Sequence, residues 1–393
     1  DPDGATPIAY LWARTITCEG PGCGAEVPMM RSLWLAKKGS RSVVLKILVA
    51  ETKEPAKKRN IEFIVAERRG KEWVCIDAPE SLECLTGTHV HDIEPDKGTI
   101  KRGSATCPAC GYTTPVASIR KQLKARNGGA ADARLFCVVT TRPRQQGRFY
   151  RLPTQRDLNA VRKATTEIQK RREAHKGELV LVPDEILPVM SGVFNAPLYG
   201  MDTWGSLFAP RQLLALTTLT RLVQKLKIDE QDGFSGAIRT CLALAVSRQT
   251  DYTTSLCSWH LTGEKLNHTF GRQALPMIWD FAEVFPFSGS TGEFAGALEW
   301  VVKVVNANSC ISYEGHVERA SATTHPLPDD SAQCLFTDPP YYNAVPYADL
   351  SDFFYVWLRR ILTDVHPLLF KDPLSPKGDE ICEMFGWDPD RYP

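Results

Sequence analysis

No run in the 393-residue sequence approaches the roughly 20 consecutive apolar positions that a membrane-spanning helix needs. Nothing in it points to export, and the expected compartment is the cytoplasm. That expectation removes disulfides from the reading of its 12 cysteines, because thiols stay reduced there. Net charge is almost missing too, at +1. The balance hides an asymmetry. Residues 1–180 hold 32 lysines and arginines against 20 acids, a net +12, and the remainder holds 15 against 26, a net −11. A basic front half is what a polyanionic partner favours.

What is present reads as an ordinary soluble chain long enough for two or three domains. Two short segments resemble each other: "TCEGPGCGAEVPM" (17–29) and "TCPACGYTTPV" (106–116). Each has a cysteine pair, a glycine directly after the second cysteine, and a proline soon afterwards. Such a turn brings both sulfurs to one side, and the glycine lets backbone amides point back at them. Cys18, Cys23, Cys107 and Cys110 are therefore expected to form a closed, tetrahedral structural zinc site. Four thiolates leave no open position for water, so this metal would hold the fold and perform no chemistry. The gap between the pairs exceeds a minimal ribbon and must be filled by an insertion. Within it, Cys75, Cys84, His89 and His91 are candidates for a second metal site. Cys137, Cys241, Cys257, Cys310 and Cys334 lie in apolar runs and are expected in the core.

Apolar runs at 42–50, 61–66 and 133–141 predict strands, which makes residues 1–150 a β-rich region with basic loops. Residues 155–176 predict a charged helix, and prolines and glycines over 177–205 predict an irregular linker, so that 151–205 reads as a connector. Helices are predicted at 210–227, 236–259, 297–307 and 348–362. Strands are predicted at 315–323 and at "CLF" (334–336). That alternation points to a parallel α/β sheet for residues 206–393.

The "CLF" strand runs into "TDPPYY" (337–342). Pro339 and Pro340 cannot donate to a ladder, so the strand must stop there. Asp338 then lies at its carboxyl end, where open α/β sheets bind ligands. Its carboxylate and an unpaired main-chain carbonyl are acceptors for an amino group, and Tyr341 offers a flat face for a planar ring. These are the needs of a pocket for a base flipped out of a duplex.

"DPPY" after an apolar strand resembles the motif of S-adenosylmethionine-dependent amino-methyltransferases. "LFAPRQLLALTTL" (207–219), "HTFGRQALPMIWDFAEVFPFSGSTG" (268–292) and "CEGPGCGAEVPMMRSLWLAKK" (18–38) extend the likeness, in order, to adenine-specific DNA methylases that contain a zinc ribbon. The resemblance covers the chain from the first cysteine pair to about residue 360. It implies a partial doubly wound sheet of the methyltransferase type, with a β-rich zinc-ribbon insertion and a helical connector. It also implies DNA as partner and methylation of adenine N6, with RNA bases or a non-catalytic zinc-ribbon module as alternatives. Asp338 and the Pro339 carbonyl would accept from the target amine, Pro340 would fix the backbone, and Tyr341 would stack. Ser321 and Ala322 would line the cofactor's adenine pocket, and Tyr342, Asn343 and Tyr347 the rim of the base pocket. One departure is plain. The family's glycine-rich cofactor loop does not precede Cys18, and it is expected upstream of Asp1, in which case this stretch alone would be inactive. "FSGSTG" (287–292) mimics that loop but stands too close to Asp338.

Overall fold

"TPIAYLWA" is apolar at nearly every position because the strand it forms, Thr6–Ala13, is covered on both faces. Alternate residues of a strand point to opposite sides. Ala9, Leu11 and Ala13 enter one core cluster, while Tyr10 and Trp12 pack in another with Leu135, Val138 and Phe281. Arg134–Arg142 pairs with this strand on one side and Asp280–Val284 on the other, both antiparallel. Gln145–Arg151 completes a four-stranded sheet.

The computed structural model describes residues 4–49, 59–190, 192–227, 233–311, 313, 315–316, 324, 327–342 and 345–377. A second sheet is an antiparallel meander of Trp34–Ala36, Val43–Val49, Ile61–Arg69 and Glu72–Asp77. Its Leu35, Leu45, Phe63 and Val65 share one core with Leu11, Phe136 and Val139 of the first sheet. Phe63 and Phe136 meet across that core with ring centroids 6.1 Å apart. Each such fully buried side chain stabilises the fold by roughly 1.5–3 kcal/mol.

Two hairpins stand at the end of the central strand. Thr15–Thr17 pairs with Glu26–Pro28, and Ser104–Thr106 pairs with Thr113–Thr114. The helix Val116–Lys124 follows the second hairpin and grips the first. Gln122 accepts from the Thr17 N–H (2.8 Å) and donates to its carbonyl (3.1 Å), while Ser118 donates to Glu19 (2.7 Å). The meander is inserted between the hairpins. The chain leaves at Met30 and returns at Thr99, where the Met30 N–H donates to the Thr99 hydroxyl and the Ile100 N–H to the Met30 carbonyl. That closure is why 84 residues can separate the cysteine pairs without separating them in space.

Arg14, fully buried, fastens this region. Its guanidinium donates to the carbonyls of Ile278 (2.8 Å), Ser255 (3.0 Å) and Gly128, and to the Ser255 hydroxyl (2.8 Å). Burial pulls its pKa down to about 9.

The contact pattern divides the chain into one unit of residues 1–219 and 248–297 and another of 220–247 and 298–393. The helix Gln155–Ala174 and the irregular segment after it belong to the first. Thr154 and Asp157 cap that helix reciprocally, and Ala164 and Ile168 are buried. Among the described residues the second unit holds helical segments and no strand. Its helix Tyr347–Leu362 buries Phe353, Val356, Trp357 and Ile361, spaced three and four apart as one apolar stripe requires. Arg239 forms a two-pronged pair with Asp364, with both N–O distances 2.8 Å, and also donates to the Ile361 carbonyl. Buried Asp352 accepts from the Ser375 N–H and hydroxyl and from Lys377.

The strands predicted at 42–50, 61–66 and 133–141 are present, as are the helices near 155, 210, 297 and 348. The helix predicted to reach 259 ends at Asp251. Thr254 and Ser255 stop it, because their hydroxyls bond backbone groups outside helical geometry: Thr254 accepts from the Leu256 N–H and Ser255 donates to the Leu207 carbonyl. The strand expected at 334–336 does not form. Those residues are irregular, and Leu335 and Phe336 are 75% and 92% exposed. A three-residue apolar run becomes a strand only beside a neighbour that takes its backbone bonds. The neighbour expected at 315–323 lies mostly outside the described residues. Every sheet among the described residues is antiparallel, and the chain is mixed α and β. Cys137 and Cys257 are buried as expected, but Cys310 and Cys334 are exposed, lying outside any packed element.

Candidate functional site

Each cysteine pair lies at the tip of one hairpin, where the turn must reverse the chain within a few residues. Gly24 and Gly111, directly after the second cysteines, take φ of +56° and +76°, the left-handed region that favours glycine. The turns aim main-chain N–H groups at sulfur. Gly20 donates to Cys18 Sγ at 3.4 Å, Ala109 and Cys110 donate to Cys107, and Tyr112 donates to Cys110.

The hairpins bring the sulfurs together. Cys18 and Cys110 are 3.5 Å apart, Cys23 and Cys107 are 3.8 Å apart, and all four ligand atoms lie within 4.8 Å of one another. A tetrahedron of thiolates about 2.3 Å from a central zinc has edges of about 3.8 Å. The group is therefore the size that a zinc ion requires, and it could hold one. Cys18, Cys23 and Cys107 are buried and Cys110 is exposed, so the centre sits just beneath the surface. Burial pushes the Cys18 and Cys107 thiols up, while the Tyr112 N–H pulls Cys110 down. A cation among the four would remove the protons outright and satisfy sulfurs that are otherwise crowded and desolvated.

Cys75, Cys84, His89 and His91 form no second group among the described residues. Cys75 is buried with its thiol toward the Asp77 carbonyl, Cys84 is exposed, and His89 faces Glu72 at 3.1 Å. Only Cys75 lies in a strand of the meander; Cys84 sits in the short helix Glu80–Leu85 and the histidines lie beyond it.

The "DPPY" residues are placed differently from expectation. Asp338 and Pro339 are exposed, Pro340 is partly covered, and Tyr341 is 65% exposed. Among the described residues Asp338 has no hydrogen-bond or ion-pair partner. The Tyr347 hydroxyl accepts from the Tyr341 N–H at 3.3 Å, tying the motif to the first turn of the following helix. Ser321, Ala322 and Asn343 lie outside the described residues. The described residues thus assemble no cradle for S-adenosylmethionine. "FSGSTG" is a hydrogen-bonded turn before the helix Phe294–Asn308: Gly289 N–H donates to Glu293, Ser290 N–H to the Ser288 hydroxyl, and the Gly292 carbonyl accepts from Gln249.

Sequence reasoning missed the bracing of the cysteine hairpins by Gln122 and Ser118, for which spacing carries no signal. It also missed a cavity beside Asp280, whose lining residues come from distant stretches of sequence. Comparison of the chain with protein-family profiles, with curated proteins and with solved structures found no match.

Proposed function

We propose that the chain carries the base-gripping part of an S-adenosylmethionine-dependent methyltransferase that acts on the N6 amine of a flipped adenine in DNA. The observation that carries this reading is the run Asp338-Pro339-Pro340-Tyr341 directly after an apolar segment, in a chain where three further segments resemble the zinc-ribbon adenine methylases in the same order. Asp338 and the Pro339 carbonyl accept from the amine, and Tyr341 stacks on the base. The sheet that would present them is the doubly wound type. The cofactor supplies the methyl group, and the protein's contribution is positioning. A structural zinc ion held by Cys18, Cys23, Cys107 and Cys110 fixes the two hairpins, and the basic first half contacts phosphates without regard to sequence.

A second reading, a zinc-ribbon nucleic-acid-binding module without catalysis, is favoured by one observation. The cysteine centre is assembled, whereas residues 334–339 stand exposed without regular structure. Labelled S-adenosylmethionine, offered to the gene's complete product with duplex DNA, single-stranded DNA or transfer RNA, separates the readings. Label in duplex DNA supports the first, and label in transfer RNA supports an RNA methylase. Binding without label supports the module.

A further inference from the structure

The first unit contains a cavity of about 250 Å³ between the start of the meander, the strand Arg134–Arg142 and the edge strand Asp280–Val284. Its walls include Trp34, Phe136 and Trp259, and its polar groups include Arg31, Ser258 and Asp280. The volume falls just below the range for drug-sized ligands, about 300–1,000 Å³, and suits one small ring system.

Both indoles are held in place by hydrogen bonds to the protein. The Trp34 N–H donates to Asp96 at 2.9 Å and the Trp259 N–H to the Leu35 carbonyl at 3.0 Å. Their polar atoms are satisfied, so they present preformed aromatic surface. Asp280 differs. Among the described residues its carboxylate accepts a single bond, from the Arg31 N–H at a long 3.4 Å. A partly buried carboxylate with so little hydrogen bonding is costly unless a ligand completes it. Burial pushes its pKa up to about 6, against the weaker pull of the Arg31 N–H and guanidinium. Arg31 is exposed on the solvent side of the cavity and forms no ion pair among the described residues.

We propose that this cavity is a nucleobase site that takes a planar nitrogen heterocycle bearing an exocyclic amine, as adenine and cytosine do. The amine donates to the Asp280 carboxylate, the ring lies against Trp34, Trp259 and Phe136, and a phosphate on the attached sugar pairs with Arg31. Aromatic faces beside a cation are the general means of holding single bases. Adenine and cytosine each carry an exocyclic amino donor, which an ionised carboxylate, an acceptor only, can take. Uracil and hypoxanthine put a carbonyl where the amine should be, opposite the Asp280 oxygens. The base could come from a free mononucleotide or from an unpaired strand. The site lies within the first unit and uses none of the "DPPY" residues, and binding here needs no methyl transfer.

The test is equilibrium binding, followed by quenching of tryptophan fluorescence and by calorimetry. The ligands are adenosine, cytidine, inosine and uridine, each as nucleoside and as monophosphate, and single-stranded deoxyadenosine and deoxythymidine oligomers. The expected result is saturable binding of the adenosine and cytidine compounds, about tenfold or more tighter than the inosine and uridine ones. Asp280→Leu, which leaves neither acceptor oxygen, should remove that preference while leaving the thermal midpoint unchanged or higher. Arg31→Ala should weaken the monophosphates more than the nucleosides. Tighter binding of the deoxyadenosine oligomer than of the mononucleotide assigns the site to a strand, and the reverse order assigns it to free nucleotides. No saturable binding of any amino-bearing base, or a preference that survives Asp280→Leu in a folded protein, overturns the proposal.

Discussion

The sulfur atoms of Cys18 and Cys110 stand 3.5 Å apart although 92 residues separate them in the sequence. That approach depends on hydrogen bonds made elsewhere: Gln122 on the first hairpin, and Thr99 with Met30 at the neck of the insertion. Four crowded, largely buried thiols of this spacing could hold a single cation between them.

The purified protein is accordingly expected to hold one equivalent of zinc. Cys107→Ser should lower that content to well under half and destabilise the first unit by several kcal/mol, since metal binding is folding free energy at such centres. Elemental analysis together with thermal unfolding, with and without chelator, reads both effects. Zinc undiminished in Cys107→Ser would contradict the four-thiolate centre.

The neck of the insertion makes its own prediction. A Cβ on Gly98 would stand 2.1 Å from the Met30 carbonyl oxygen and 2.4 Å from the Arg31 carbonyl carbon. Both are backbone atoms, so the clash cannot be relieved by turning a side chain. Gly98→Ala should destabilise by roughly 1–3 kcal/mol. It should also weaken zinc retention, because the hairpins are carried by the same neck. Gly271→Ala, whose φ is likewise ordinary and whose Cβ would come no nearer than 4.0 Å to the His268 carbonyl oxygen, is the control without a clash.

Asp280 should make stability depend on pH in a stated direction. Its pKa is raised from 3.8 to about 6, so the folded state holds this proton more tightly than the unfolded chain. The stabilisation is complete below about pH 4 and is lost as pH rises through 6. At pH 7.5, Asp280→Asn removes the buried charge and should raise stability, on the order of 1 kcal/mol. At pH 4 the two proteins should unfold alike. Chemical denaturation across that range checks the sign, and a larger gap at pH 4 than at pH 7.5 would count against it.

Arg14 offers a test in the buried polar region. Arg14→Met keeps much of the packing volume but leaves the Ile278, Ser255 and Gly128 carbonyls without their donor. Orphaned buried acceptors cost about 1–3 kcal/mol apiece before relaxation, so a net loss of about 3 kcal/mol is expected in denaturant titration.

Local patterns in the sequence carried much of this fold. Runs such as "IEFIVA" revealed their strands by composition, and each cysteine pair revealed its turn by the glycine that follows. Pairing was less legible. Thr6–Ala13 lies between strands more than 100 residues away in sequence, and no local signal marks it as the centre of a sheet. The cluster of four cysteines was legible because each pair is local and the two turns are alike. The Asp280 cavity was not, because Arg31, Phe136, Trp259 and Asp280 converge from separate stretches. "CLF" illustrates the opposite error: its composition suits a strand, but a strand exists only where a neighbour takes its backbone bonds.

Methyl transfer that depends on Asp338 tests the central claim most directly. The gene's complete product, incubated with S-adenosylmethionine and duplex DNA, is followed by nucleoside mass spectrometry of the digested DNA. The account predicts N6-methyladenine with the unaltered protein. With Asp338→Ala, a loss of about a hundredfold or more is expected, as for removal of a group that positions the reacting amine. N6-methyladenine formed equally by Asp338→Ala, or none from a zinc-loaded, DNA-binding protein, would contradict it.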